Sequence, residues 1–152
     1  MKEQTQSNIK CPDYYKRNEL EVRDIIAGYN LDFFRGNAIK YIARAGKKPG
    51  CSVSEDLQKA WDNLAFLEGE PLYTHSLGFD CFSSAEINEF LTSFGINEVL
   101  GVVVILVLLT SFTENEEQIS GLLGTARSFL KAEINDINQL EYVKYKSKKE
   151  VC

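Results

Sequence analysis

Residues 114–137 read "ENEEQISGLLGTARSFLKAEINDI" and decide the fold class. Their apolar residues recur every three or four positions, which is the period of one face of an α-helix. These apolar residues are Ile119, Leu122, Leu123, Ala126, Phe129, Leu130, Ile134 and Ile137. Thr113 and Glu116, which lie three positions apart, form the pattern of a capping box at a helix start. We predict an amphipathic helix from Glu114 to Ile137, followed by a basic, frayed tail over residues 142–152.

The stretch before it, "VLGVVVILVLL" at residues 99–109, is apolar almost without interruption. Val and Ile also favour a central β-strand, but the capped helical patterns on both sides favour a helix from Asn97 to Phe112. Its eleven residues are too few to span a bilayer, which requires about 20. We expect a helix buried on all sides, at the centre of a bundle or at a contact between the subunits of an oligomer.

Four shorter helices are predicted ahead of these two. They cover residues 19–27, 31–46, 52–69 and 83–95. Ser52 and Ser83 are each followed three positions later by Glu, which is the pattern of a capping box, and Gly46 fits the left-handed end of a helix. Residues 70–83 form an irregular connection. The sequence therefore predicts one all-α domain over residues 1–152, a compact bundle of about six helices that assembles into an oligomer.

Composition narrows the functional classes. The chain has 152 residues, 44% hydrophobic and 26% charged, as expected of a globular protein with its own core. Its formal net charge of −5 argues against binding of a nucleic-acid polymer, which requires a broadly basic surface. A local basic pocket remains compatible with this charge because the positive residues cluster.

The cysteines and the single histidine form no recognisable metal site. Cys11, Cys51, Cys81 and Cys152 lie far apart without a CxxC pair, and His75 is the only histidine. The first residues, "MKEQTQSNIK", are polar and do not resemble a secretion signal. We therefore expect reduced thiols, a cytoplasmic location and no membrane segment.

The second helix carries the chemical pattern that requires an explanation. Within "GNAIKYIARAGKK", residues 36–48, an amide, a phenol and two cations share one helical face. They are Asn37, Lys40, Tyr41 and Arg44. Lys47 and Lys48 follow the helix end, and Arg35 lies at its start. Lys59 lies on the third helix, which a short loop folds back antiparallel, and there it shares a polar side with Asp56 and Asn63.

Such a convergence of cations suits an anion with several charged oxygens. Arg44 is suited to a bidentate contact, and the lysines act as point charges. Tyr15, Tyr41 or Phe34 would stack on a base, so that the whole set fits a nucleotide. A solvated cationic face, with Lys and Arg favoured by the dipole at a helix C-terminus, is the simpler interpretation, and spacing alone favours it.

Motifs of established catalysts are absent from the sequence. There is no GxxxxGK[ST] phosphate loop, and neither GxGxxG, HExxH nor GxSxG occurs. Asp24, Asp32, Glu55 and Asp56 are available for acid–base catalysis, but their pattern is typical of ordinary solvated carboxylates.

A resemblance to a known family favours nucleotide binding over a solvated cationic face. "CPDYYK", "LEVRDII", "LDFFRGNAIKYIARAGKK" and "EDLQKAWDNLAFL", all within residues 11–67, resemble a family of small bacteriophage proteins described as nucleotide kinase-like or as of unknown function. The family's hallmark resembles L-x-F-x-x-G-N-A-I-K-Y-x-x-R-A-G-x-K followed by D-L-x-K-A. Residues 31–48 and 56–60 follow it almost throughout. Residues 83–140 lie outside the resemblance, and we expect them to serve packing and assembly.

The resemblance implies a viral origin and nucleotide handling. Its polar motif members here are Asn37, Lys40, Arg44, Lys47, Asp56 and Lys59. The family usually has a P-x-H-Y element, whereas this chain has Tyr14 in the position of the His. If that His transfers or positions a proton, its loss favours binding over catalysis.

Three functional interpretations follow. The favoured one is a phage protein that binds a nucleotide or cyclic nucleotide immune signal without turnover and sequesters it to evade host defence, with no cofactor. The second is a nucleoside monophosphate kinase, in which Lys40, Arg44 and Lys47 stabilise the transferred group and Asp56 helps hold Mg²⁺. The third is a non-catalytic adaptor whose apolar C-terminal half binds a host protein. The candidate ligand-binding residues are Tyr15, Arg35, Asn37, Lys40, Tyr41, Arg44, Lys47, Lys48, Asp56 and Lys59.

Overall fold

The computed structural model describes residues 20–70 and 82–150, and these form six α-helices and one 3₁₀ turn without a β-strand. The helices are α1 (Val22–Gly28), α2 (Phe33–Arg44), α3 (Val53–Phe66), α4 (Ser84–Ser93), α5 (Glu98–Leu109) and α6 (Glu116–Glu150). The 3₁₀ turn, Thr110–Phe112, directly follows α5. The predicted all-α fold class is confirmed.

The predicted starts of α3 and α4 are also confirmed. The Ser52 hydroxyl accepts a hydrogen bond from the Glu55 backbone N–H at 3.2 Å, and the Glu55 carboxylate accepts one from the Ser52 N–H at 2.7 Å. Ser83 and Glu86 repeat this arrangement at the start of α4. Gly46, just past the end of α2, has a φ of 74°, the left-handed conformation predicted for it.

Helix α6 differs from its prediction at both ends. The capping box of Thr113 and Glu116 does not form; the Asn115 side chain instead accepts a hydrogen bond from a first-turn N–H at 2.9 Å. Asn is at least as good an N-cap as Thr, so the change costs little. The prediction of a frayed tail is wrong, because the helix continues to Glu150. Residues 138–150 contain no Gly or Pro that would stop it.

The apolar stretch forms helix α5 and not a strand, as predicted. Its N-cap is Asn97, whose side chain accepts a hydrogen bond from the Leu100 N–H at 2.9 Å. Neighbouring helices of the same chain cover only part of α5, so it is not buried at the centre of the bundle, and its expected burial at a contact between subunits stays a prediction. The covered side includes Leu100, Val103, Val104, Val107 and Leu108, and the exposed side consists of Val99, Val102, Ile105 and Leu109.

Two helical hairpins stack to form the core. α2 packs mainly on α3 and α5 mainly on α6, and the hairpins meet where α3 contacts α6 and α2 contacts α5. Phe34, early in α2, stacks on Phe66 at the end of α3 with ring centroids 4.3 Å apart, so the first hairpin is antiparallel. Asn97 donates a hydrogen bond of 2.6 Å to Glu133, which shows that the second is antiparallel too. Among the described helices, none combines the length and the apolar character needed to cross a membrane.

Candidate functional site

Helix α2 presents the predicted polar face at its C-terminal end. The Lys40 Nζ lies 3.5 Å from the Asn37 side-chain oxygen, one turn earlier. The Tyr41 ring has the Lys40 ammonium 5.3 Å and the Arg44 guanidinium carbon 4.7 Å from its centroid, within the range of cation–π attraction. These four side chains therefore form one contiguous group.

Arg44 and Asp56 form a buried ion pair that joins the end of α2 to the start of α3. Arg44 is 6% exposed and Asp56 is 0% exposed. The Arg44 Nη2 pairs with one carboxylate oxygen of Asp56, and its Nε donates a hydrogen bond of 3.3 Å to the other. A guanidinium that engages both oxygens of a carboxylate compensates part of the cost of burying it. The interpretation of Asp56 as an ordinary solvated carboxylate is therefore wrong.

A cysteine that sequence analysis did not single out completes this arrangement. The free thiol of Cys51 donates a hydrogen bond of 3.2 Å to Asp56, and the Lys59 ammonium lies 3.5 Å from the same sulfur. Burial by itself would raise the pKa of Asp56. Hydrogen bonds from Arg44 and Cys51, together with the positive charges of Arg44 and Lys59, outweigh that effect and hold this pKa below its usual value. Asp56 is therefore ionised at neutral pH.

Lys40 is held in an environment that disfavours its charge. Its partial burial and the nearby charges of Arg44 and Lys48 lower its pKa below the usual value. Lys47 donates a hydrogen bond of 2.6 Å to the Ala43 carbonyl in the last turn of α2, where a cation complements the helix dipole. The positive residues of the group outnumber its one carboxylate. We call Asn37, Lys40, Tyr41, Arg44, Lys47, Lys48, Cys51, Asp56 and Lys59 the basic cluster.

Arg35 does not lie with the basic cluster, although the sequence predicted that it would. It precedes Arg44 by nine residues, about two and a half turns, and so lies on the opposite side of α2. Its Nε donates to Asp32 at 2.5 Å and its Nη1 donates to the Thr110 hydroxyl at 2.8 Å. Arg35 is buried, and it ties α2 to the end of α5.

Other sequence candidates have different positions. The Phe34 ring, a candidate for base stacking, already stacks on Phe66. Tyr14, Tyr15 and His75 lie outside the described residues. Among residues 20–70 and 82–150, no group of three or more His, Cys, Asp or Glu side chains is placed to hold a metal ion.

Residues 9–65 match the model of a protein family described as a protein of unknown function, DUF3310. This segment contains α1, α2, nearly all of α3 and every residue of the basic cluster. No curated protein and no solved structure shows significant similarity to the chain. The similarity predicted over residues 11–67 is thus confirmed in its position. The phage origin and the nucleotide kinase-like character stay predictions.

Proposed function

We propose that the protein binds the phosphate of a nucleotide at the basic cluster and retains the nucleotide without converting it. The observation that carries this proposal is the environment of Lys40, which burial and two neighbouring cations make unfavourable for its own charge. Although the net charge of the chain is −5, several positive side chains lie close together here, and their mutual repulsion is unfavourable. A multiply charged anion bound among them would add attractive interactions that offset this repulsion.

The ion pair of Arg44 and Asp56 supports binding more than catalysis. It holds the Arg44 guanidinium between two helices through its Nε and Nη2, so Arg44 contributes its positive charge beside Lys40 and not a free donor pair. In a kinase, Asp56 would help hold Mg²⁺, but its two oxygens already accept hydrogen bonds from Arg44 and Cys51. This engagement favours a protein that captures its ligand.

The biological setting that we propose rests on the resemblance to small bacteriophage proteins. In that setting the ligand is a nucleotide or cyclic nucleotide that host defence uses as a signal, and the protein sequesters it in the host cytoplasm. The replacement of the family's His by Tyr14 supports retention over turnover.

Ligand release distinguishes these activities directly. We would incubate the purified full-length chain with labelled nucleotides and cyclic nucleotides, with and without Mg²⁺, denature it by heat and analyse what is released. We expect intact ligand. A phosphorylated product would identify a kinase instead, and the absence of both ligand and product would refute nucleotide binding.

A matched pair of variants tests the location of the site. We expect Lys40→Gln to weaken binding at least tenfold, which corresponds to about 1.4 kcal/mol. Lys131→Gln removes the same charge from α6, where Lys131 lies over the Trp61 ring, and should leave affinity unchanged. As the pH rises, Lys40 loses its charge and affinity should fall. Because the pKa of Lys40 is lowered, this fall should occur at a lower pH than for an ordinary lysine. Equal effects of the two variants would place the ligand elsewhere.

A further inference from the structure

The basic cluster would bind a phosphate, but positive side chains alone do not distinguish a nucleotide from any other polyanion. A nucleotide also presents a flat base, which aromatic rings bind by stacking. The sequence predicted Tyr15, Tyr41 or Phe34 for this role. Tyr15 lies outside the described residues, the Tyr41 ring lies against two cations, and Phe34 stacks on Phe66. A fourth aromatic side chain, Phe33, is better placed.

Phe33 is the most exposed large apolar side chain among the described residues. It is the first residue of α2 and is 73% exposed. Its ring meets the Phe34 ring edge to face, with centroids 5.3 Å apart, and Phe34 stacks on the exposed Phe66. We call these three rings the aromatic shelf. Because Phe33 keeps most of its surface exposed in spite of these contacts, a flat ligand can reach its ring.

Phe33 lies on the same side of α2 as the basic cluster. At 3.6 residues per turn, a sector of about 60° contains Phe33, Asn37, Lys40 and Arg44. Lys40 follows Phe33 by seven residues, which amounts to about 10 Å along the helix axis. The Lys40 ammonium extends back toward Phe33, because it lies 3.5 Å from the side-chain oxygen of Asn37, one turn earlier. An aromatic ring, an amide and a cation therefore follow one another along this face.

The order of these groups matches the order of the parts of a nucleotide. A base stacked on Phe33 would direct its ribose toward Asn37, whose amide can both donate and accept hydrogen bonds, and its phosphates toward Lys40. An apolar partner, such as a helix of another protein, would instead cover the Asn37 amide and the Lys40 ammonium without replacing their contacts with water, which is unfavourable. These polar neighbours therefore favour a nucleotide as the occupant of the aromatic shelf.

We propose that Phe33 stacks on the base of a nucleotide whose phosphates lie at the basic cluster. The inference rests on the proposed function and adds to it the part of the site that makes the ligand a nucleotide and not an inorganic polyphosphate. Stacking accepts every base, because each has a π-face, so Phe33 provides affinity for nucleotides as a class and not for one base.

Affinities for nucleotides and for a phosphate chain without a base test this inference. We would titrate the full-length chain with ATP, GTP, cyclic AMP, cyclic GMP and inorganic tripolyphosphate in a calorimeter. Phe33→Ala should weaken the binding of each nucleotide that binds by about 5- to 150-fold, the range expected for the loss of one stacked base. The same variant should leave the affinity for tripolyphosphate unchanged.

Further variants separate stacking from packing. Phe33→Trp keeps a flat aromatic ring and should retain the nucleotide affinity, whereas Phe33→Leu keeps only apolar surface and should lose most of it. Phe129→Ala removes an exposed phenylalanine from α6 and should leave every affinity unchanged. The fluorescence of the Phe33→Trp variant should be quenched by a nucleotide but not by tripolyphosphate. The unsubstituted chain, which contains only Trp61, provides the reference signal.

The possible outcomes distinguish this inference from the proposed function. If nucleotides bind and Phe33→Ala does not weaken them, or weakens nucleotide and tripolyphosphate binding equally, the base lies elsewhere and only this inference is wrong. Retained affinity in the Phe33→Leu variant would also contradict it, because apolar contact would then suffice without stacking. A failure of every nucleotide to bind would overturn the inference together with the proposed function.

Discussion

Replacement of Arg44 by Met should destabilise the protein even when no ligand is present. Arg44→Met keeps a long, flexible side chain and removes only the guanidinium. Asp56, which has no exposed surface, then loses the cation that engages both of its oxygens. The variant thus leaves a buried carboxylate with only the Cys51 thiol and the charge of Lys59 to stabilise it.

The size of the loss follows from this burial. Breaking a buried ion pair by removal of one partner typically costs about 3–5 kcal/mol. The remaining contacts of Asp56 place Arg44→Met near the lower end, at about 3 kcal/mol. For a domain of this size, about 2–4 °C is lost per kcal/mol, so the melting temperature should fall by roughly 6–12 °C.

Urea unfolding followed by circular dichroism and by the fluorescence of Trp61, the one tryptophan of the chain, measures this loss. Lys48→Met removes the same charge from an exposed site, and its stability should change by less than about 0.5 kcal/mol. The double variant Arg44→Met with Asp56→Leu should recover most of the stability, because an apolar pair needs no charge compensation. If Arg44→Met alone costs under about 1 kcal/mol, our account of the ion pair is wrong.

Three further predictions concern stability. The pKa of Asp56 lies below its ordinary 3.8, so its ionised form stabilises the protein above that pH. This contribution to the free energy of unfolding should disappear as the pH falls from 3.8 through the lowered pKa. The Asp56→Asn variant should not show this loss in an acid titration of stability. Gly46→Ala should cost more than Gly69→Ala in thermal melts, since both have positive φ but only at Gly46 would the new Cβ approach a side chain, that of Val53, at 2.9 Å. Ser52→Ala should cost about 1 kcal/mol in urea unfolding by removing the N-cap of α3, and a neutral result would mean that the cap contributes nothing.

Local signals in the sequence were sufficient to locate the six helices and to group the polar residues on one face of α2. Ser52 and Ser83 mark helix starts because a capping box involves residues only three positions apart. The same short range explains the correct grouping of Lys40 with Arg44 on α2. Features that depend on which helix packs against which were beyond these signals.

Asp56 and Arg35 show what the sequence could not provide. The helical period assigns each to a side of its helix, but it does not tell whether a neighbouring element covers that side. Asp56 is buried because Arg44 reaches it from α2, and Arg35 is buried because Thr110 approaches from the end of α5. The extent of α6 was missed for a related reason. The apolar period indicates only the part of the helix that packs on the core, whereas residues 138–149 are helical and exposed.

The hydrogen bond between Arg35 and Thr110 has a consequence for whether the first three helices can occur without the rest of the chain. The part of the chain that matches DUF3310 ends at residue 65, yet its α2 is tied to Thr110, and Leu64 of its α3 shares a groove with Leu123 of α6. A fragment that stopped after α3 would lose both contacts and expose apolar surface to water. Any other protein that carries only residues like 9–65 must therefore provide a cover of its own, from a different sequence or from another chain.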